Sequence, residues 1–162
     1  MNGEFARPHK DFLARAIDLA RVYSREGTCG PFGAVVVRNG EVIGEGWNRV
    51  TSTCDPSAHA EIVAIRAACA HLQSPFLDGC VLYSSCEPCP MCLAAAYWAH
   101  VPELYFAASR EDAAQAGFDD AGLYKELALP TVAKRIQTRQ CLEAEGAEVL
   151  AAWRDNPNRI PY

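Results

Sequence analysis

The run Pro88-Cys89-Pro90-Met91-Cys92 constrains this chain more than any other feature. It sets two thiols three residues apart at what reads as the start of a helix, where both point to one side and the helix dipole favours thiolates. Two thiolates so close call for a cation, and a cation held by two ligands from one turn needs a third from elsewhere in the chain. The fold must therefore deliver a second segment to this helix start. Of the four histidines, only His59 shares the feature of lying at a predicted helix start, so His59, Cys89 and Cys92 form the expected metal set. Eight cysteines in a short secreted chain would suggest a disulfide framework, but three of these eight bunch at Cys86, Cys89 and Cys92, which favours metal ligation. Cys86 precedes the expected helix start at Pro88 and faces another way. The remaining five are assigned to packing.

A closed structural zinc site takes four protein ligands; a catalytic one takes three and leaves a position for water, whose pKa zinc lowers to about 7. Glu61, two residues beyond His59, is placed to take and deliver a proton there. The expected cofactor is one Zn2+ per chain.

The rest of the chain reads as alternating helices and strands. Phe12, Ala16, Leu19, Ala20 and Tyr23 recur at helical spacing over Asp11 to Glu26, and Gly27 is a terminator. Phe32 to Arg38, the turn Asn39-Gly40 and Glu41 to Asn48 read as a hairpin. Asp55-Pro56-Ser57 starts a helix with Ser57 as N-cap, and Ile62, Ile65, Ala68, Cys69 and Leu72 give it a buried stripe. Cys80 to Ser84 and Glu103 to Ala108 read as strands, Pro88 to about His100 as a helix, Ile136 to Cys141 as a last strand and Glu143 to Arg154 as a last helix. Between Glu111 and Leu129, Gly117 and Gly122 interrupt helical stretches. This alternation predicts an α/β layered fold, and 162 residues, half of them hydrophobic, suit one domain spanning 1–162 with 155–162 as a polar tail.

His59-Ala60-Glu61 followed by Pro88-Cys89-Pro90-Met91-Cys92 matches the H-x-E and P-C-x-x-C signature of zinc-dependent base deaminases. At these residues the chain resembles the cytidine deaminase-like superfamily, over about Asp11 to Tyr162. It is more closely similar to the small bacterial guanine deaminases, through Pro31-Phe32-Gly33-Ala34, Asn48, Asp55 to Glu61, Ser85 to Cys92, Tyr97-Trp98, Ala116 to Asp120, Tyr124 to Glu126 and the final Tyr162. The resemblance implies a three-layer α-β-α fold around a mixed five-stranded sheet, assembly as a homodimer, and hydrolysis of guanine to xanthine and ammonia in purine catabolism. It also implies a substrate site. Asn48 alone would read as a turn residue, but the resemblance makes it a purine contact. Asp120 reads either as an acceptor for purine N–H groups or as a helix cap. Phe32 and Trp98 read as walls for the base or as core aromatics, Phe32 being the stronger contact. Backbone groups of Ala60 and Glu87 are expected at the reacting centre, and Tyr162 is expected to close the tail over the pocket.

The charge balance opposes nucleic acid: 15 Lys and Arg stand against 20 Asp and Glu, with no basic run. No apolar run approaches the roughly 20 residues of a membrane span, and Met1 to Pro8 lacks the pattern of an export signal, so a cytoplasmic enzyme acting on a small purine is expected. Guanosine or another amino heterocycle as substrate stays open, as do tRNA adenosine deamination and a non-catalytic zinc-stabilised module.

Overall fold

The computed structural model describes residues 10–130 and 133–161. Contacts divide the chain into two compact units, one ending at Asp120 and one running from Ala121 onward.

The first unit holds the sheet. Helix α1 (Lys10–Ser24) leads into strands β1 (Gly33–Arg38) and β2 (Glu41–Trp47), followed by the short α2 (Val50–Thr53), α3 (Ala60–Leu72), β3 (Cys80–Cys86), α4 (Pro90–Trp98), β4 (Glu103–Ala108) and α5 (Arg110–Gln115). The strands lie in the order β2-β1-β3-β4, antiparallel except for β3 and β4, which run parallel with α4 as their crossover. The hairpin forms where Asn39-Gly40 predicts it, with both residues at positive φ (51° and 81°) as a two-residue turn of this hand requires.

Alternation along β1 sorts the two faces. Val35 and Val37 pack with Leu19 of α1 and Tyr83 of β3, while Ala34 and Val36 pack with Ala60, Ala64, Ile65 and Ala68 of α3 and Ala96 of α4. Three layers result: α1, the sheet, and α3 with α4. The third layer sits unusually close to β2. A Cβ on Gly46 would lie 2.2 Å from the Ala60 carbonyl oxygen, and one on Gly44 would lie 2.5 Å from that of Ala64. The stripe Ala60, Ala64, Ala68 is thus laid on two glycines of the neighbouring strand, backbone nearly against backbone.

Four expectations change. The α/β layering and mixed sheet hold, but the sheet has four strands among the described residues, not five. The stretch Ile136 to Cys141 forms no strand: its only apolar side chains stand at its two ends, so alternate positions give no face to bury, and Ile136 is 81% exposed. Ser57 is not an N-cap. Its hydroxyl and its N–H both turn back to Asp55 Oδ1, at 2.6 and 2.8 Å, and α3 begins three residues later with His59 at the cap position. Pro90, rather than Pro88, is the proline at the start of α4, with Cys89 as its N-cap. In the second unit, α6 (Ala121–Ala128) and α7 (Glu143–Asp155) are helical, the latter as the sequence predicts. No helix among the described residues is long and apolar enough to cross a membrane.

Candidate active site

Two helix starts meet behind the sheet. His59 stands at the N-cap of α3 with extended backbone (φ −67°, ψ 155°), and Cys89 at the N-cap of α4 with nearly the same (φ −65°, ψ 167°). Neither side chain caps its own helix. Both are thereby free to turn toward a common point, and Cys92, one turn into α4, joins them.

His59 Nδ1 lies 3.6 Å from Cys89 Sγ and 3.5 Å from Cys92 Sγ, and the two sulfurs are 3.6 Å apart. With Zn–S near 2.3 Å and Zn–N near 2.0–2.1 Å, a tetrahedral centre separates sulfur from sulfur by about 3.8 Å and sulfur from nitrogen by about 3.6 Å. The triangle fits zinc on all three edges. These are also the residues among those described whose donor atoms cluster closely enough to hold one metal ion. Cys86 is outside the set: its Sγ donates to the Ser109 carbonyl at 3.5 Å, and burial pushes its thiol up to about 11. Hydrogen bonds accepted from Cys92 and from His59 hold the Cys89 thiol down to about 4, so it is a thiolate at neutral pH. Cys92 is raised, first by that same bond to Cys89, and carries the pair's proton. A dication displaces that proton on binding.

Glu61 lies behind this triangle, 6% exposed. Burial pushes its carboxyl above the usual carboxylate range. Ser84 Oγ donates to its Oε1 at 3.2 Å, while Oε2 lies 3.4 Å from Cys92 Sγ. One carboxylate oxygen is thus held by β3 and the other faces the metal ligands.

A cavity of about 550 Å³ opens in front, within the roughly 300–1,000 Å³ range of small-molecule sites. His59, Glu61 and Cys89 form its floor, and Phe32, Asn48 and Asp120 all line it. Phe32 meets Phe118 edge-on, with ring centroids 4.9 Å apart. Burial raises the Asp120 carboxyl, with the nearby Cys89 adding to the shift.

Other expected contacts are not brought there. Trp98 is 72% exposed on α4 and is not part of the lining, because the face of that helix turned to the core carries Cys92 and Ala96 instead. Ala60 is fully buried against the sheet, with no part in the lining. Glu87 does line the cavity, although its N–H is committed to the Ala108 carbonyl at 2.8 Å. Tyr162 lies outside the described residues. Sequence reasoning missed Gly30, Val50, Thr51 and Arg110, which line the cavity from the loop before β1 and the first residues of α2 and α5, whose meeting no local spacing encodes.

Residues 6–108 match the profile of the cytidine and deoxycytidylate deaminase zinc-binding region. The chain belongs to this deaminase family. Among its relatives, the guanine deaminase of Bacillus subtilis is 48% identical over 154 residues, 95% of this chain and 99% of that protein. The crystal structure of that enzyme superposes with a TM-score of 0.92, covering 95% of this chain and 98% of the other. A guanine deaminase from Nitrosomonas europaea aligns with a TM-score of 0.65 at 35% identity, over 70% of this chain and 65% of that one. A tRNA-specific adenosine deaminase from Aquifex aeolicus is 35% identical over 76% of this chain and 79% of its own length. In this zinc-binding deaminase, His59, Cys89 and Cys92 lie close enough together to bind one metal ion.

Proposed function

We infer that this protein is a guanine deaminase, hydrolysing guanine to xanthine and ammonia. The observation that carries the chemistry is a donor set of three that fits zinc on every edge, with a buried carboxyl oxygen 3.4 Å from one of its sulfurs. The near full-length likeness to the Bacillus subtilis guanine deaminase carries the choice of base.

His59, Cys89 and Cys92 hold the zinc. When bound, zinc supplies water acidified to a pKa of about 7 and polarises the group under attack. Glu61 takes a proton from the attacking water and delivers it first to the ring nitrogen beside C2, then to the departing amine. Its buried, raised carboxyl suits a group that must both accept and give a proton near neutral pH. Ser84 keeps Oε1 fixed, so the shuttling falls to Oε2. Phe32, braced by Phe118, offers the flat wall a purine needs. Asp120 accepts from purine N–H groups, and Asn48 contacts the base from the end of β2. The protein works as a cytoplasmic homodimer in purine catabolism.

Zinc-loaded protein is expected to release ammonia and xanthine from guanine, with kcat/KM well above that for guanosine. The likeness to a tRNA-specific adenosine deaminase makes a tRNA anticodon stem-loop the third substrate to assay. A preference for guanosine, or inosine formation in the RNA, would replace this reading.

A further inference from the structure

Asn48 follows directly on β2 and is 7% exposed. Its Oδ1 lies 3.4 Å from the Gly30 backbone nitrogen and 3.3 Å from that of Val50. An amide turned the other way would set its NH2 against two N–H groups, donors facing donors, so the orientation is fixed by chemistry and not by assignment. Nδ2 meets no acceptor among the described residues, yet none of their buried side-chain nitrogens or oxygens lacks a partner, so Nδ2 reaches open space. The space Asn48 lines is the cavity.

Gly30 closes the other side. A Cβ there would stand 3.1 Å from Asn48 Cγ and 3.3 Å from both Nδ2 and Oδ1. Any side chain at position 30 would press on the amide plane and shift it. The same stretch sets the aromatic wall: the Gly30 carbonyl accepts from Phe32 N–H at 2.9 Å, and the Phe32 carbonyl accepts from Asn48 N–H at 3.0 Å.

We propose that Gly30 is a positioning residue that locks Asn48 as a hydrogen-bond donor into the cavity, so that the site selects heterocycles presenting an acceptor, a ring nitrogen or an oxo group, on that edge. The proposal rests on the deaminase reading above and adds its selectivity. An amino group on that edge would leave two donors facing each other in a largely apolar slot, a mismatch that sites built on hydrogen bonds reject strongly.

The test is a double-mutant cycle on zinc-loaded protein: wild type, Gly30→Ala, Asn48→Ala and the pair. Gly30→Ala is expected to lower kcat/KM for guanine about tenfold, the worth of one hydrogen bond, mainly through KM and with zinc content unchanged. In the Asn48→Ala background the same change should cost less than about twofold, since the group it acts through is gone. Equal losses in both backgrounds would overturn the role of Gly30. Asn48→Asp supplies the second arm: the carboxylate still accepts both N–H groups, so thermal stability holds, but the donor is lost and kcat/KM for guanine should fall about a hundredfold or more. An Asp variant as active as wild type would overturn the donor assignment. Thermal midpoints of the four cycle proteins need no substrate. If wild type releases no ammonia from guanine, the guanine reading fails. The lock then stands if Gly30→Ala lowers the midpoint only where Asn48 is present, and falls if it lowers it equally in both backgrounds.

Discussion

Gly46→Ala tests whether the catalytic floor depends on the close seating of α3 on β2. The new Cβ would lie 2.2 Å from the Ala60 oxygen and 2.6 Å from the Ala64 nitrogen, against the 3.4 Å at which ordinary contact begins, so about 1.2 Å must be found. Both neighbours are helix backbone, and no rotamer change relieves them. Overpacking of this kind costs about 1–3 kcal/mol where side chains yield, so about 3 kcal/mol or more is expected here. For a chain of this size that is a fall of about 6–12 °C in thermal midpoint. The displaced residue is Ala60, which stands between His59 and Glu61. A shift near 1 Å is large against a metal triangle whose edges are 3.5 to 3.6 Å, and catalytic constellations tolerate only about 0.5 Å. Zinc affinity and turnover should therefore fall together with stability. Calorimetry in saturating zinc, chelator competition and ammonia release measure the three. Gly122→Ala, where the added Cβ meets nothing within 4 Å, is the control and should keep all three. A Gly46→Ala protein melting within about 1 °C of wild type with full zinc content would refute the argument that backbone contact at this seam positions the site.

His59→Ala should lose both zinc and activity, whereas Glu61→Gln should keep one zinc per chain and lose nearly all turnover; metal analysis beside a rate assay separates the two roles. Cys86→Ala should keep full zinc and cost about 1 kcal/mol of stability, because its sulfur serves the Ser109 carbonyl and not the metal. Asp55 is held below its ordinary 3.8 by the Ser57 hydroxyl, so its ionised form contributes stability above that value and loses it as pH falls through the depressed one. The midpoint of wild type should accordingly exceed that of Asp55→Asn at neutral pH, with the gap closing below about pH 3.8; a gap that widens in acid would refute this.

What the sequence announces and what it hides divide along a physical line. Interactions that close within one turn were legible: the thiol pair of α4, the hairpin at Asn39-Gly40, the stripe of α3 and the span of β4 all follow from spacing alone. The cap signature puts the start of α3 two residues early because Asp55 and Ser57 satisfy each other in a turn, a competition that such a signature does not reveal. Trp98 illustrates the other failure. An aromatic in an apolar helix suits the core or the site equally on composition, and only the rotation of α4 that buries Cys92 and Ala96 turns it outward. The cavity walls at Gly30, Val50 and Arg110 come from a loop and the starts of α2 and α5, three separate segments, and their meeting is a property of the sheet that carries them.

Part of the selectivity is nevertheless built on a different part of the chain from the chemistry, although Gly30, Phe32 and Asn48 share the stretch 6–108 with the metal ligands. The metal ligands and Glu61 stand on the two helix starts, tied to the sheet by the Gly44 and Gly46 contacts and by Ser84, and every one of them lies inside the stretch matching the family profile, 6–108. Phe118 and Asp120 lie beyond its end. The second set can vary without disturbing the first, since loops facing a rigid floor tolerate change. The likeness to the Bacillus subtilis enzyme continues over 95% of this chain and so spans both sets. Exchanging residues 117–120 for the corresponding segment of a tRNA-acting relative should therefore depress guanine turnover while leaving zinc binding intact. Loss of the metal in such a chimera would show that floor and walls are a single unit after all.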